Sequence, residues 1–290
     1  MKLLFKFNVI FVLVMAMGVA VSGWISRGLL QEQARQEVVA TGRLLMEQAL
    51  SVRGYTSGQI TKLLATQLQT EFLPQSVPSY SATEVLGTLK TKYPEFAYKE
   101  ATLNPTNPRD RANGWEVDIV NAFRNDAERK EIIGDRDTPT GKSLYISRPL
   151  RITNGACLQC HSSVEAAPKT MVDKYGPANG FGWQMNEVIG AQVVSVPMTL
   201  PLQRAADNLQ LFLTALVGVF LVVGAVLNVM IWFVVVRPVT ELARLADRVS
   251  QGEMDAPEFA ARSKDEIGTL ADSFARMRAS VQQAMKMLDN

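Results

Sequence analysis

The sequence predicts an α+β domain that lies between two membrane-spanning helices and is followed by a cytoplasmic bundle of helices. Three observations lead to this fold class: two long apolar stretches, mixed helix-like and strand-like patterns between them, and apolar residues every three or four positions near the C-terminus. We therefore divide the chain into a first span (1–25), an outer domain (26–210), a second span (211–236) and C-terminal helices (237–290).

The composition is typical of a membrane protein and excludes some partners. The chain has 290 residues, a formal net charge of +2 and 20 % charged residues. No block of like charge stands out, so we expect no nucleic-acid partner. Hydrophobic residues make up 47 % of the chain, and many of them fall in the two apolar stretches.

The first apolar stretch runs from Leu3 to Ile25 and is interrupted by Lys6 and Asn8. It reaches the length of about 20 residues that spans a bilayer, which favours an uncleaved anchor. A cleaved signal peptide is the alternative, because the small residues within Gly18–Ser22 are suitable for cleavage.

The second apolar stretch, Leu211–Val236, carries no charged residue and exceeds the spanning minimum, so it predicts a transmembrane helix. Lys2 and Lys6 precede the first span, and Arg237 follows the second. Positive charges concentrate on the cytoplasmic side of bacterial membranes. We therefore expect both termini in the cytoplasm and the outer domain on the other side of the inner membrane.

The outer domain is predicted to begin with a long amphipathic helix, because apolar residues recur at helical spacing from Ser26 to about Ala65. Ser81 and Glu84 have the spacing of a capping box that opens the next helix. The remaining predictions, in chain order, are a helix over Ala82–Lys92, a strand over Tyr93–Ala101, a loop over Asn104–Pro108, a helix from Trp115 to Ile133, a strand over Ser143–Leu150, a loop over Met171–Gly182, and a strand pair over Gly180–Trp183 and Val188–Pro197.

The candidate site is the segment Cys157-Leu158-Gln159-Cys160-His161, which holds both cysteines and the only histidine of the chain. Cys-x-x-Cys-His is the pattern by which c-type haem is attached, through two thioethers and a histidine that ligates the iron. A disulfide, a redox dithiol and half of a zinc site are the alternatives. Zinc would need two further Cys or His ligands. The pattern therefore predicts one covalent haem c per chain, with His161 as the metal ligand.

The outer segment, over roughly residues 40–200, resembles the PAS-like periplasmic c-type haem sensor family. The resemblance is carried by Arg53-x-Tyr55-Thr56, the strand Tyr93–Glu100, the loop Asn104–Pro108, the motif Cys157–His161 and the segment Gly190–Pro197. It implies a PAS-like sheet with the haem held against the N-terminal helix. Because haem is normally attached to this motif in the periplasm, we expect the outer domain there.

This chain has no further His or Cys that could serve as the second axial ligand of the iron, although thiolate ligation occurs within the family. Met46 lies on the helix that the resemblance places beside the haem and is the first candidate, ahead of Met171, Met185 and Met198. A methionine on a helix is more often a core residue, an unusual Tyr or Lys ligand is another choice, and an open position would admit a diatomic gas. Arg53 is the candidate partner of a haem propionate, with a surface salt bridge as the alternative.

The residues after the second span predict two helices joined by a connector over Gln251–Pro257. The first helix has a stripe at Leu242, Leu245 and Val249. The second repeats apolar residues in the spacing of a coiled-coil seam: Ile267, Leu270, Phe274, Met277, Val281, Ala284 and Leu288. We expect partner helices to cover this seam.

This segment resembles a HAMP domain, on Pro238 after the span, Gly252 in the connector and Asp265-Glu266-Ile267-Gly268 at the start of the second helix. The resemblance implies a parallel homodimeric four-helix bundle that relays a signal. Since no output region precedes the end at Asn290, we expect the output to pass to a separate cytoplasmic signalling protein.

Three functions fit these observations. We favour a transmembrane sensor that detects redox state or a small gas at the haem and relays the change through the C-terminal helices. The alternative is a membrane-anchored monohaem electron-transfer cytochrome, which leaves residues 237–290 without a purpose. A haem enzyme would need distal acid–base groups, and no second histidine exists. We therefore expect no enzymatic activity, and either a diatomic gas or a redox partner.

Overall fold

The computed structural model describes residues 3–253, 257 and 265–288. Lys2, which entered the prediction of topology, lies outside these residues. So do Met254–Ala256 of the predicted connector and the side chain of Leu288 in the predicted seam.

The described chain forms long terminal helices and a central mixed segment. The helices are α1 (Leu3–Tyr55), α2 (Thr61–Leu63), α3 (Pro78–Lys92), α4 (Gly114–Asn125), α5 (Leu158–His161), α6 (Lys169–Tyr175), α7 (Thr199–Ile231), α8 (Arg237–Ser250) and α9 (Glu266–Leu288). The strands are β1 (Ala97–Thr102), β2 (Ile132–Thr138), β3 (Gly141–Arg151) and β4 (Val188–Pro197). The predicted α+β fold class is confirmed.

The chain divides into two compact units, one formed by residues 27–207 and the other by residues 1–26 and 208–290. The first unit contains a four-stranded antiparallel sheet in the order β1-β4-β3-β2. The PAS-like description of this sheet stays a prediction from the resemblance.

Both faces of the sheet are covered, because alternate residues of the central strands are apolar on both sides. On one face, helix α1 supplies Val38 and Met46, which pack in a core against Leu144, Ile146 and the residues Val194, Val196 and Met198. On the other face, helix α4 packs its apolar stripe on β1 and β4, in a core formed by Ala101, Ile119, Val120, Phe123, Val188, Ala191 and Val193. The two cores fix the sheet between α1 and α4.

The second unit contains the apolar stretches. Two continuous helical segments, Leu4–Leu63 and Thr199–Ser250, are long and apolar enough to cross a membrane, judged by length and composition. Within this unit, Asn8 and Asn228 exchange two amide hydrogen bonds of 2.8 Å. Gly224 lies against the ring of Phe11, where a Cβ would come within 2.7 Å of it. The N-terminal apolar segment and α7 therefore pack directly on each other.

The C-terminal helices show the stripe that the sequence predicts. Leu245 and Val249 of α8 form a small cluster with Phe274 of α9. Leu270 and Met277 of α9 leave 51 % and 53 % of their surface exposed. Within the residues that the structure describes, much of the seam of α9 is therefore uncovered.

The predicted capping box at Ser81 is wrong. Helix α3 begins at Pro78 instead, because proline suits the first turn of a helix, where its missing N–H is not needed. The hydroxyl of Ser81 donates to the carbonyl of Gln75 at 2.9 Å. The helix thus begins four residues before the predicted start at Ala82.

The predicted helix from Trp115 to Ile133 is too long. Helix α4 ends at Asn125, and Ile132 begins strand β2, which pairs with β3 across a tight turn. Gly141 has φ +113° in this turn, a conformation that glycine tolerates. The strand escaped prediction because it is an edge strand whose residues are largely half-exposed or exposed, so it lacks a clear alternation.

Two predictions around the candidate site also need correction. The segment Met171–Gly182 is not all loop, because Lys169–Tyr175 forms α6. Gly180–Trp183 does not form a strand, and only Val188–Pro197 does, pairing with β1 and β3. Positive φ angles at Gly180 and Gly182 turn the chain away from an extended path.

Candidate functional site

The Cys157–His161 motif forms one helical turn that follows directly from the central sheet. Strand β3 ends at Arg151, and the side chain of Asn154 accepts a hydrogen bond of 2.9 Å from the N–H of Ala156, which starts the turn. Cys157 already has helical angles, φ −62° and ψ −35°. Residues three and four apart on a helix share a face, so Cys157 lies on the same face as Cys160 and His161.

Both cysteines are free thiols and partly buried, so the disulfide alternative has no support here. Burial raises the pKa of the Cys160 thiol, and the neighbouring Cys157 raises it further. Cys160 therefore carries its proton at neutral pH. Among the described residues, no three His, Cys, Asp or Glu side chains cluster in the way that a metal site would need.

The imidazole of His161 is held in one tautomer. Its Nδ1 lies 2.6 Å from the carbonyl oxygen of Gly180 and 3.4 Å from the hydroxyl of Thr106. A carbonyl oxygen can only accept, so the Nδ1 atom carries the hydrogen. The lone pair of Nε2 is then free for a metal, which is the usual arrangement of a ligating histidine.

The plane of the imidazole is fixed by Trp183. The two rings stack with centroids 3.9 Å apart and an interplanar angle of 16°. The backbone N–H groups of Gly182 and Trp183 donate to the carbonyls of Ser162 and His161, each at 3.1 Å. Burial lowers the pKa of His161, and the bond to Gly180 opposes this only in part. The ring is therefore neutral at neutral pH, as ligation requires.

These three neighbours of His161 were missed at the level of sequence, although their segments stood out. Thr106 lies in the Asn-Pro loop, and Gly180 and Trp183 lie in a segment predicted as a strand. The two glycines that flank Phe181 were the signal of a turn rather than a strand.

Arg53 lies in a buried polar network close to the motif. Its Nη1 atom contacts the Glu100 carboxylate at 2.6 and 2.5 Å. The hydroxyl of Tyr98 donates to Glu100 at 2.7 Å and accepts from Gln192 at 3.0 Å. Arg53 is thus engaged in an ion pair inside the protein, and its contact with a haem propionate stays a prediction.

The protonation states of this network follow from its burial. Burial lowers the pKa of Arg53, but the Glu100 carboxylate outweighs burial and raises the pKa overall. Burial and Glu100 both raise the pKa of Tyr98. Cys157 also contributes to the raised pKa of Arg53, so the network lies within electrostatic range of the motif.

Met46 lies in the core between α1 and the sheet and is fully buried. Its packing partners are the apolar residues of β3 and β4. This placement is that of a core methionine. Its role as an axial ligand stays a prediction.

The loop after β1 carries a second group of charges. Arg109 pairs with Glu84, and its guanidinium lies 4.9 Å from the centre of the Tyr80 ring. Burial raises the pKa of Asp110 to about 6, although Arg109 opposes this. The carboxyl group of Asp110 therefore exchanges its proton at about pH 6.

These observations describe a protein with an α+β domain that carries a Cys-x-x-Cys-His turn and is preceded and followed along the chain by long apolar helices. Residues 31–197 match the family model described as Tll0287-like. That segment is more than half of the 290 residues, and the chain belongs to the Tll0287-like family. Residues 234–283 match the HAMP domain, which implies a role in signal transduction. The predicted architecture is confirmed.

The chain is also similar to a solved structure, titled as the crystal structure of the cyanobacterial heme-protein Tll0287. The identity is 15 %, and the match covers 56 % of this chain and 95 % of that chain, with a TM-score of 0.44. No curated protein matches this chain.

Proposed function

We propose that this chain is a transmembrane sensor that carries one haem c on Cys157, Cys160 and His161. It detects a change of redox state or a diatomic gas at the haem and relays the change through the HAMP domain to a cytoplasmic signalling protein. When bound, the haem supplies an iron that changes its oxidation state and binds small ligands. The role proposed is that of a sensor, not of an enzyme.

The observation that carries the proposal is the orientation of the His161 imidazole, which leaves the lone pair of Nε2 free to bind a metal. The carbonyl of Gly180 holds the hydrogen on Nδ1, and the Trp183 ring holds the plane of the imidazole. Two free thiols precede this ring on the same helical turn. Cys157 and Cys160 would hold the macrocycle through two thioethers, and His161 would ligate the iron from one side.

The location follows from the apolar helices and from the attachment chemistry. We place the apolar segments in the bacterial inner membrane, the sheet domain in the periplasm and both termini in the cytoplasm. Lys6 lies near the start of the first apolar segment and Arg237 directly after the second, both on the proposed cytoplasmic side, in agreement with the distribution of positive charge in such membranes.

The relay would use a homodimer formed through the HAMP domain and the apolar helices. A ligand or an electron shifts a two-state equilibrium only as far as it interacts differently with the two states. Helix α1 supplies both Arg53 of the polar network and the first apolar segment. The helical segment Thr199–Ser250 begins two residues after strand β4 ends at Pro197, and it continues into α8. A shift in the sheet domain would therefore reach the HAMP domain along this second segment.

The covalent attachment is tested by replacing both thiols. In Cys157→Ser with Cys160→Ser, we expect the haem to be lost on extraction with acidified acetone, whereas the parent retains it. The matched control is Ser162→Ala, at the residue directly after His161, and this variant should retain haem. If the parent releases all of its haem, covalent attachment is wrong.

The stimulus is tested by absorption spectra of the purified full chain, oxidised and reduced, with and without carbon monoxide and nitric oxide. A displaced ligand or a high-spin spectrum would support gas detection. A low-spin spectrum that neither gas changes would support redox detection.

Deletion of residues 237–290 separates the sensor from the electron-transfer cytochrome. We expect the spectrum and the midpoint potential of the haem to be unchanged, while signalling to the cytoplasm is lost. A chain that supports its full cellular role without these residues would instead be an electron carrier.

A further inference from the structure

Asn104 connects two loops of the candidate site. It lies after β1, in the Asn-Pro-Thr-Asn-Pro loop, and reaches the segment that follows α6. Its Nδ2 atom donates to the carbonyl of Phe181 at 3.2 Å, and its Oδ1 atom accepts from the N–H of Gly180 at 3.1 Å. One side chain thus holds two consecutive residues of the opposite loop.

The two contacts need an amide at this position. Gly180 offers a donor and Phe181 an acceptor, so the side chain must accept at one atom and donate at the other. An aspartate can satisfy only the Gly180 contact, and a leucine can satisfy neither. The contacts also identify the oxygen atom of the amide. The reverse assignment would place two donors against each other at Gly180 and two acceptors against each other at Phe181.

The segment held by Asn104 is the one that orients His161. The carbonyl of Gly180 contacts Nδ1 at 2.6 Å. Gly180 has φ +88°, and a Cβ there would come within 2.8 Å of the Cα of Thr106. The Asn-Pro loop therefore hydrogen-bonds to Gly180 through Asn104 and packs against its Cα through Thr106.

We propose that Asn104 is a positioning residue that keeps His161 in the Nδ1–H tautomer by holding the carbonyl of Gly180 in place. The proposal assigns a purpose to the Asn-Pro loop, which the sequence singled out without explaining it. Only its consequence at the iron rests on the proposed function; the tautomer itself is a property of the chain without haem.

The consequence at the iron follows from the basicity of the ligand. A hydrogen bond from Nδ1 to a carbonyl raises the electron density of the imidazole, which favours the ferric state. A looser Gly180 carbonyl would weaken this effect. The midpoint potential of the haem would therefore rise when Asn104 is replaced.

The tautomer can be measured directly, because the chain contains one histidine. The full chain is produced in a host without haem-attachment machinery, labelled with ¹⁵N-histidine and studied by NMR at about pH 8, where an imidazole is neutral. The variants are Asn104→Leu and Asn104→Asp. The matched control is Asn107→Leu, in the same loop, whose side chain accepts from the N–H of Arg109 and not from Gly180.

We expect the parent and Asn107→Leu to show one Nδ1–H tautomer. Asn104→Leu should populate both tautomers, and Asn104→Asp should lie between, because it keeps the Gly180 contact. A single Nδ1–H tautomer in Asn104→Leu would overturn the proposal. So would an equal change in Asn107→Leu, which would indicate general loosening of the loop.

If Asn104→Leu does not fold, Asn104→Asp alone still tests the proposal. The population of the second tautomer, with the hydrogen on Nε2, should then be higher in Asn104→Asp than in the parent. In haem-loaded protein, the midpoint potential of both variants should exceed that of the parent and of Asn107→Leu; an unchanged potential would overturn the consequence at the iron. A chain that binds no haem would contradict the proposed function and leave the tautomer result intact.

Discussion

At the scale of single residues, Glu100 is almost fully buried, with 2 % of its side chain exposed, and Arg53 neutralises it at 2.5 Å. A buried ion pair adds little to stability by itself, because desolvation offsets the attraction between the charges. Removal of one partner is costly, because the other charge then remains buried without a counter-charge. Arg53 and Glu100 thus depend on each other.

Replacement of Arg53 by methionine should destabilise the outer domain by about 3 kcal/mol. For a domain of this size, that corresponds to a thermal midpoint lower by about 6–12 °C, measured on the full chain in detergent. The matched control is Arg43→Met on the same helix, whose side chain is 53 % exposed and whose partner is Glu131. This exposed pair should cost less than about 1 kcal/mol.

A second change separates charge from packing in the same pair. Arg53→Met combined with Glu100→Gln removes both charges and should recover much of the lost thermal stability, because no buried charge remains unpaired. Equal losses in the single and double variants would show that the packing of Arg53 matters and its charge does not.

Asp110 predicts a dependence of stability on pH. Burial raises its pKa from 3.8 to about 6, against the effect of Arg109. The folded protein therefore binds this proton more tightly than the unfolded chain does. The resulting stabilisation is present below about pH 4 and is lost as the pH rises through about 6.

Asp110→Asn should remove this dependence. Relative to the variant, the parent should lose about 1 kcal/mol between about pH 4 and pH 7, a value reduced for partial solvent screening. Thermal midpoints of both proteins across this range give the difference. Asp137→Asn removes an exposed carboxylate and should follow the parent. An identical pH profile for Asp110→Asn would contradict the raised pKa.

At the scale of elements, the two apolar segments are joined by the reciprocal amide pair of Asn8 and Asn228. Polar side chains in a membrane bind to each other because lipid offers no alternative partner, although each such bond contributes only modestly. Glycine allows close approach of the helices at Gly224 and Phe11. The amide pair therefore sets the register, and glycine sets the distance.

A double-mutant cycle measures the amide pair. Asn8→Leu, Asn228→Leu and their combination should give a coupling energy of about 0.6–1.5 kcal/mol, by unfolding in mixed detergent and dodecyl sulfate micelles. Thr214→Val is the control, since the hydroxyl of Thr214 donates to Gln210 of its own helix. Coupling of Thr214→Val to Asn8→Leu of the same size would mean that the cycle does not report the amide pair.

At the scale of the whole molecule, helix α9 has a seam that the described part of the chain leaves largely exposed. Leu270 and Met277 are half exposed, and Val281 is 39 % exposed. These residues stand seven and four positions apart, the spacing that packs one helix against a partner. A second copy of the chain would cover this seam in a HAMP domain.

The homodimer is tested by a disulfide across the seam. In the Cys157→Ser and Cys160→Ser background, Met277→Cys should form a cross-linked dimer on oxidation in membranes, because equivalent seam residues face each other in a parallel coiled coil. Asp272→Cys, at an exposed position off the seam, is the control and should stay monomeric on a denaturing gel. Equal cross-linking at both positions would contradict the ordered interface.

Patterns among neighbouring residues were sufficient to predict several features of this protein. The apolar spans, the Cys157–His161 motif and the seam of α9 are repeats or spacings within one segment, so they need no knowledge of the fold. The edge strand β2 and helix α6 were not predictable in this way. Their residues lack a clear period, and pairing or packing with distant segments decides their conformation.

The groups that surround these segments are set by contacts between distant parts of the chain. The Nδ1 partner of His161 is a carbonyl 19 residues away, and the partner of Arg53 is a carboxylate 47 residues away. Asn104 acts on Gly180 from 76 residues away. Hydrogen bonds of this kind depend on how the loops pack in three dimensions, and this packing cannot be predicted from residue spacing along the chain.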